Sequence, residues 1–395
     1  LDIFKFPNAL AGSYSGGELI DGFKSKTWVE RYREAGEFTL VADKNISAMR
    51  SKLPIGSVIS HTDTGEVMIV ETHSISESED NWPELIITGS SFETILDNRI
   101  VGSNKTFPST TPEVDYALSS AEVWDQIVLM VQDHILAANL IDDDNAFLNV
   151  SVMNDVSISG DSIARQIKKG SLYSRVIELL ETEDLGIKVI RPGPWSPLGG
   201  GSDDIALVVH KGDDRSASVI FSYDFGQIKN ADYLWTNLNH KNAALVSGKW
   251  AETFVSEPHY AHVMGVGFVY EDSDHYGRRV MFVDASDIDS SYTTAPTGGT
   301  LTAVLAAMEQ RGKDAIAAQK DIVLTKAEST NTGNDPWYRS GYDTGTIAYA
   351  NYYYLGDMVT VVGNYDEAAL MCVCEHVTIE DENGQTSHPT FGLAQ

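Results

Sequence analysis

Apolar and polar positions alternate over much of this chain with a period of two, the spacing of a strand with one buried face. Residues 20–101 read as a run of short strands. Trp28, Tyr32, Phe38, Leu40 and Val41 stand around a turn at Ala35–Gly36. Pro54–Ile55–Gly56–Ser57–Val58–Ile59 follows, and a turn at Asp63–Thr64–Gly65 leads into Val67–Met68–Ile69–Val70. The acidic loop Glu77–Asp80 crosses to Leu85–Ile86–Ile87–Thr88–Gly89, and a short amphipathic piece from Phe92 to Ile100 turns Ile95 and Leu96 to one side. Strands this short and closely spaced predict a small antiparallel barrel or sandwich.

The period then changes. Gly102, Pro108, Pro112 and a Ser/Thr cluster make residues 102–115 a linker by composition. Ala121, Trp124, Ile127, Val128, Val131, Ile135 and Leu136 recur every three or four positions, predicting a helix with Ser119 or Ser120 as N-cap and Glu122 completing a capping box. Ser171 to Asp184 predicts a second helix, capped by Ser171 and closed by Gly186. Strands are expected at Ile187–Ile190, Ile205–Val209, Val219–Tyr223, Ala243–Val246 and Val263–Tyr270. A helix is expected from about Thr300 to Lys320, kinked or broken at Gly312. The middle is therefore α+β, and residues 321–395 return to strand patterning.

One degenerate repeat organises the whole. Leu355–Gly356–Asp357–Met358–Val359 echoes Ile55–Gly56–Ser57–Val58–Ile59. A polar turn follows each, at Gly363–Asp366 and at Asp63–Gly65. Next come the strands Ala369–Val373 and Val67–Val70, then His376 and His73, an acidic loop and a last strand. The expected fold is mainly β with an α+β middle: two similar small β-barrel domains flanking an α+β insert. The boundaries are residues 1–101 for the first barrel, 102–290 for the middle, and 291–395 for a helix plus the second barrel. A subunit carrying two copies of one domain can close a pseudo-six-fold ring from three chains through heterologous contacts. Gly56 and Gly356 are expected in turns that exclude a side chain. Trp28, Phe391 and Tyr352–Tyr353–Tyr354 are expected in cores or subunit contacts.

Charge narrows the partners. Acidic residues number 57 against 28 basic ones, a formal net charge of −29, which repels nucleic-acid phosphates and anionic membranes. Such a surface keeps a large assembly component soluble, or lets DNA slide past without sticking. Cys372 and Cys374, at i and i+2 of a strand, would stand roughly 7 Å apart, poor geometry for a disulfide. With no other cysteine, a thiolate-rich zinc site is excluded. No run of about 18 apolar residues predicts a membrane span, and no charged-then-apolar leader opens the chain. The start at Leu1, without methionine, fits trimming or processing.

The motifs of catalysis are missing: neither nucleotide-binding glycine loop, no H-E-x-x-H and no G-x-S-x-G occurs. His259 and His262 with Glu257 come nearest to a metal set, but their spacing and Pro258 suit a loop better than a shared strand face. Asp284–Asp287–Asp289 lacks the glycine and glutamate of a calcium loop. It reads as an acidic turn, as do Asp142–Asp144 and Asp203–Asp204. Carboxylate pairs for glycoside cleavage can be distant in sequence, and among 57 acids coincidental pairs carry no information. Trp195, Trp235, Trp250, Trp337 and the Tyr352–Tyr354 run could stack on sugars if exposed, or anchor interfaces.

Several segments together resemble the siphophage tail-hub family, the tail-associated proteins related to the baseplate hub of contractile-tailed phages. Trp28–Tyr32 through Gly36–Leu40 looks like its opening hairpin; Leu53–Gly56, Ile87–Gly89 and Ile95–Ile100 resemble its first barrel and closing helix. Val219–Ser222, Gln227–Ile228 and Asn242–Gly248 look like its middle domain, and Tyr354–Val359 with Pro389–Gly392 its second barrel. The resemblance implies a non-enzymatic, cofactor-free homotrimer at the phage tail tip. It would touch a distal tail protein ring above and a central tip or fibre protein below, around a lumen for the tape-measure protein and DNA, with no membrane insertion by this chain. The peptidase or lysozyme extension of some relatives is not seen. The rival readings are a carbohydrate-binding or carbohydrate-cleaving host-surface protein, and a secreted or cell-surface β-domain protein.

Overall fold

The computed structural model describes residues 2–6, 17–61, 66–78, 81–102, 115–136, 148–152, 163–190, 205–224, 227–236, 241–256, 260–263, 279–286, 288, 294–317, 322–329, 337–338, 352–363 and 368–393. Among these the protein is mainly β with some helices. The N-terminal part contains β1 (Ile3–Lys5), β2 (Glu18–Ile20), β3 (Ser25–Arg31), β4 (Glu37–Ala42), α1 (Ile46–Lys52), β5 (Val58–His61), β6 (Met68–Ser78) and β7 (Asn81–Ser91). Its strands pair in the order β3-β4-β7-β6-β5-β1-β2. β4 shows why: Phe38, Leu40 and Ala42 are buried while Glu37, Thr39 and Val41 between them are not. Trp28, Phe38, Leu40, Ile59, Met68, Val70, Leu85 and Ile87 form one core, each such side chain contributing about 1.5–3 kcal/mol by leaving water. A 3₁₀ turn, Phe92–Asn98, then buries Leu96 and half-buries Ile95.

The next stretch holds β8 (Ile100–Val101), β9 (Tyr116–Ala121), α2 (Val123–Val131), β10 (Leu148–Val152), β11 (Ile163–Ile167), β12 (Gly170–Ser171), α3 (Leu172–Thr182), β13 (Gly186–Ile190) and β14 (Ile205–His210). A second core joins α2, α3, β13 and β14 to Val67, Phe92 and Leu96 on the outer side of the N-terminal sheet. Ser119 and Ser120 do not cap α2. They lie in β9, which pairs with β11, so Glu122 takes the N-cap position without a side-chain bond. Ser171 does cap α3, its hydroxyl accepting from the Ser174 N–H at 3.4 Å. Gly186 does not close that helix: Asp184 takes the left-handed conformation (φ 56°), and Gly186 opens β13, where a Cβ would overlap the Tyr32 ring.

The remainder holds β15 (Ile220–Ser222), β16 (Ile228–Thr236), β17 (Ala243–Ser247), β18 (Glu252–Ser256), β19 (Tyr260–Val263), β20 (Val280–Asp284), α4 (Gly298–Ala317), β21 (Ile322–Ser329), β22 (Trp337–Tyr338), β23 (Tyr352–Tyr353), β24 (Met358–Val362), β25 (Ala368–Asp381) and β26 (Gly384–Leu393). Of the strand expected over 263–270 only Val263 is described, in β19, and the remaining positions lie outside the described residues. α4 is unbroken at Gly312, where a Cβ would stand 2.7 Å from Val255 Cγ2 and 2.8 Å from Val246 Cγ2. The glycine lets the helix approach β17 and β18 without breaking it. α4 thereby packs on the β19-β18-β17-β20 sheet, although chain order groups it with the C-terminal strands.

The two ends of the chain meet. β25 pairs antiparallel with β3, and strands from both ends, with β15 from the middle region, form one eleven-stranded sheet in the order β15-β24-β25-β3-β4-β7-β6-β5-β1-β2, with β26 on β25. The two ends are thus continuous with each other through one sheet.

Candidate functional site, the seam between the chain ends

At the seam, Trp28 stands opposite Thr378, Val29 opposite Val377 and Glu30 opposite His376. Arg31 places Nε 2.8 Å from Glu375 and Nη2 2.8 Å from Glu37, and Lys26 lies 3.2 Å from Glu380. These pairs are partly solvated and contribute at most about 1 kcal/mol each. The ladder and the cores behind it do most of the holding.

Behind the seam, two turns share one hydrogen-bond pattern. The Gly56 N–H donates to Val70 O (2.7 Å), Ser57 N–H to Pro54 O (3.0 Å) and Val70 N–H to Ser57 O (2.8 Å). The Gly356 N–H donates to Val373 O (2.9 Å), Asp357 N–H to Tyr354 O (3.2 Å) and Val373 N–H to Asp357 O (3.0 Å). Register agrees as well: Ile59 faces Met68, and Val359 faces Met371. The β6–β7 ladder skips Glu71 and the β25–β26 ladder skips Cys374, so both carry a bulge two residues before the histidine, His73 or His376. Ile59, Met68 and Val70 enter one core, and Val359, Met371 and Val373 enter the other.

Tyr32 ties three parts of the chain together. Its N–H donates to Cys374 O (2.9 Å) and its carbonyl accepts from the Ile187 N–H (2.9 Å). Its hydroxyl donates to Asp184 O (2.8 Å) and accepts from the Gly212 N–H (3.3 Å). Gly186 and Gly356 both press on its ring, and Gly212 abuts the Gly356 backbone. Asp357 extends the junction. Buried, it accepts from the Asp213 N–H (2.8 Å) and the Tyr354 N–H (2.9 Å). Burial pushes its carboxyl up to about 6.

Beside this junction Glu30, Glu66, Glu93 and Lys188 are buried together. Burial pushes Glu93 up to about 7, and burial plus the neighbouring carboxylates of Glu30 and Glu93 push Glu66 well above its usual range. Burial lowers Lys188 against the pull of the same acids. β13 is buried on both faces, with Ile187 and Val189 in the helical core. Alternation turns Lys188 the other way, toward the carboxylates. The arrangement is a charge-compensated packing site.

Of the residues the sequence singled out, Trp28 is buried, stacked on Phe38 at 5.7 Å and edge-on to His61 at 4.7 Å. Gly56 and Gly356 both have positive φ, 84° and 91°. Tyr353 and Phe391 are buried around Phe221, with ring centroids 5.4 and 4.9 Å from it. Tyr354 is half-buried beneath the Arg215 guanidinium at 5.3 Å. Tyr352 lies in β23, and its side chain is outside the description. Asp142–Asp144, Trp195, Asp203, Asp204, Glu257, His259, Asp287 and Asp289 also fall outside the described residues. Asp284 is exposed and held down at about 2 by the Ser286 N–H and hydroxyl and by Lys168. No group of three or more His, Cys, Asp or Glu among the described residues could hold a metal ion. A cleft of about 340 Å³ between β11, α3 and α4 carries Arg165, Lys168, Arg175 and Arg311; Lys168 pairs with Asp284 and Arg175 with Glu178. The sequence marks Tyr32 only as part of a hairpin and Asp357 only as part of the repeat; packing alone joins them to Gly212 and sets the Glu–Lys cluster beside them.

Residues 12–393 match the family model described as Siphovirus ReqiPepy6 Gp37-like protein. The chain belongs to this family. No curated protein matches it in sequence. This Gp37-like protein is similar in fold to the tail protein from Neisseria meningitidis MC58, at 12% identity and a TM-score of 0.53 over 99% of this chain and 96% of that one. It is also similar to the 43 kDa tail protein of prophage MuSo2 from Shewanella oneidensis, at 13% identity and a TM-score of 0.51 over 99% and 98%. A third likeness is to prophage tail protein gp18 from Listeria monocytogenes EGD-e, at 11% identity and a TM-score of 0.50 over 100% and 95%. At these identities the likeness establishes the fold, that of phage tail proteins, across nearly the whole Gp37-like chain.

Proposed function

We propose that this Gp37-like protein is a non-enzymatic structural component of the virion that forms the hub at the tail tip. Three copies close into a pseudo-six-fold ring, joining the distal tail ring and tube to a central tip or fibre protein. Residues 1–101 supply one barrel of each copy. The C-terminal strands within 291–395, completed by β16, supply the other, and the region 102–290, with α4 against it, stands between. The observation that carries this reading is the shared hydrogen-bond pattern and register of the turns at Gly56 and Gly356. Duplication inside a chain is what lets three subunits meet a six-fold partner. The net charge of −29 suits a lumen through which tape-measure protein and DNA pass without sticking. Trp28, Gly56, Gly356, Tyr353 and Phe391 hold each barrel together in this reading, leaving Tyr352 and Tyr354 nearer the contacts. Sedimentation of the full chain, followed by electron microscopy of the particle, tests it. A closed trimer with six similar lobes is expected, and a monomer at every concentration would overturn the reading.

A further inference from the structure

We infer that the free edge of β6, residues 72–77, is the intersubunit contact, and that it pairs antiparallel with the outer edge of β16 in a second copy of this chain. The inference rests on the ring reading and adds the strand and register that would close the ring.

The chain already contains the contact once. The matched turns and bulges make β24, β25 and β26 the counterparts of β5, β6 and β7. β21 runs along β26 as β4 runs along β7, and β16 pairs antiparallel with β21 as β3 pairs with β4. β16 is therefore the counterpart of β3. Within the chain, the part of β25 beyond its bulge pairs with β3. The equivalent part of β6, beyond the Glu71 bulge, pairs with β7 alone among the described residues. The equivalent edge of β16 is likewise unpaired among the described residues.

Burial shows what is missing. Thr378, covered by β3, is 7% exposed; its counterpart Ile75 is a large apolar side chain left 51% exposed on an open edge. His376 is buried, whereas His73 is only half-buried. Unprotected edges with apolar side chains are pairing surfaces. The register follows from the ends of the two ladders. The last pairs of the two ladders are Val29 with Glu37 and Thr236 with Ile322, which makes Trp235 the counterpart of Trp28. Since Trp28 faces Thr378, Trp235 of one copy faces Ile75 of the next, and Thr236 faces Ser74.

The test uses full-length chain carrying Ile75→Cys with Trp235→Cys, and a second variant carrying Ser74→Cys with Thr236→Cys. Both are oxidised, run on denaturing gels without reductant, and sedimented in parallel with wild type. One of two adjacent pairs in an antiparallel ladder has its side chains closer, so at least one variant should give covalent dimers and trimers. The single-cysteine parents and the register-shifted pair Ile75→Cys with Tyr233→Cys should not. Ile75→Lys, at an exposed position, should keep the wild-type circular dichroism spectrum and weaken association by about tenfold or more. A wild-type ring without either crosslink, or one left as tight by Ile75→Lys, overturns the edge pairing and leaves the ring reading standing. A wild-type monomer overturns the ring reading and the pairing with it.

Discussion

Gly356 lies against the ring of Tyr32 so closely that a Cβ on it would overlap the ring. Gly56, its counterpart in the N-terminal turn, has the same left-handed backbone but nothing within 4 Å of a notional Cβ. The pair separates two effects of adding one carbon. Gly56→Ala should cost only the left-handed penalty, about 1–2 kcal/mol. Gly356→Ala adds overpacking and should cost about 3 kcal/mol or more, and Gly356→Val should abolish incorporation into particles. Urea unfolding of the two alanine variants checks this, and equal losses would mean that Tyr32 yields freely.

Gly312→Ala tests a conflict of sign. Alanine improves an exposed helix interior by about 1 kcal/mol relative to glycine. Here the new methyl would meet Val255 at 2.7 Å and Val246 at 2.8 Å, and both neighbours are branched at Cβ and cannot swing aside. Overpacking at about 1–3 kcal/mol should win, so the melting temperature falls. Adding Val246→Ala to Gly312→Ala should recover part of the loss that Gly312→Ala causes. A higher melting temperature for Gly312→Ala alone would show that α4 can retreat from its sheet.

The two turns were legible in the chain because glycine, flanking β-branched residues and a following histidine recur in order, and each has a local reason to be there. Ser171 as the cap of α3 was legible for the same reason. What failed was what tertiary contacts decide. Ser119 looked like a cap, yet it lies within β9, at the irregular step of that strand's pairing with β11. Gly186 and Gly312 looked like punctuation in helices, yet each is small because a ring or a pair of valines comes close. The β3–β25 seam joins residues more than 300 positions apart, and a period-two pattern says which face of a strand is buried without naming its neighbour.

Glu93 should make stability pH-dependent in a direction opposite to the usual carboxylate. Its folded pKa, pushed by burial to about 7, lies above its ordinary 4.5. The folded chain therefore holds this proton more tightly than the unfolded one, and stability falls as pH rises from about 4.5 to about 7, by on the order of 3 kcal/mol. His376, lowered by burial to about 3, acts the other way, its stability present above about 6.5 and lost as pH falls toward 3. Wild-type curves mix these slopes, so the difference between wild type and Glu93→Gln isolates the first. That difference should grow in favour of Gln between about pH 5 and 7; a flat difference would mean that Lys188 holds Glu93 ionised throughout.

Asp357 occupies the place that Ser57 fills in the N-terminal turn, and the exchange of serine for a buried acid asks for a reason. Two are present. Arg215 Nε lies 2.8 Å from its Oδ2, though not aligned as a hydrogen bond. The backbone N–H groups of Asp213 and Tyr354 donate to its two oxygens. A carboxyl that burial pushes up to about 6 is not one whose charge is strongly favoured, so acceptance should matter more than charge. Asp357→Ala leaves both N–H groups unsatisfied and should cost about 3 kcal/mol. Asp357→Asn keeps one acceptor and sheds the burial cost of the charge, and should cost about 1 kcal/mol. Unfolding free energies near pH 7 decide between them. An Asn variant as damaged as the Ala variant would assign the role to the Arg215 ion pair. The expected gap would mean that the acid is there to catch the 212–215 loop, a task the N-terminal turn, with its serine, does not have.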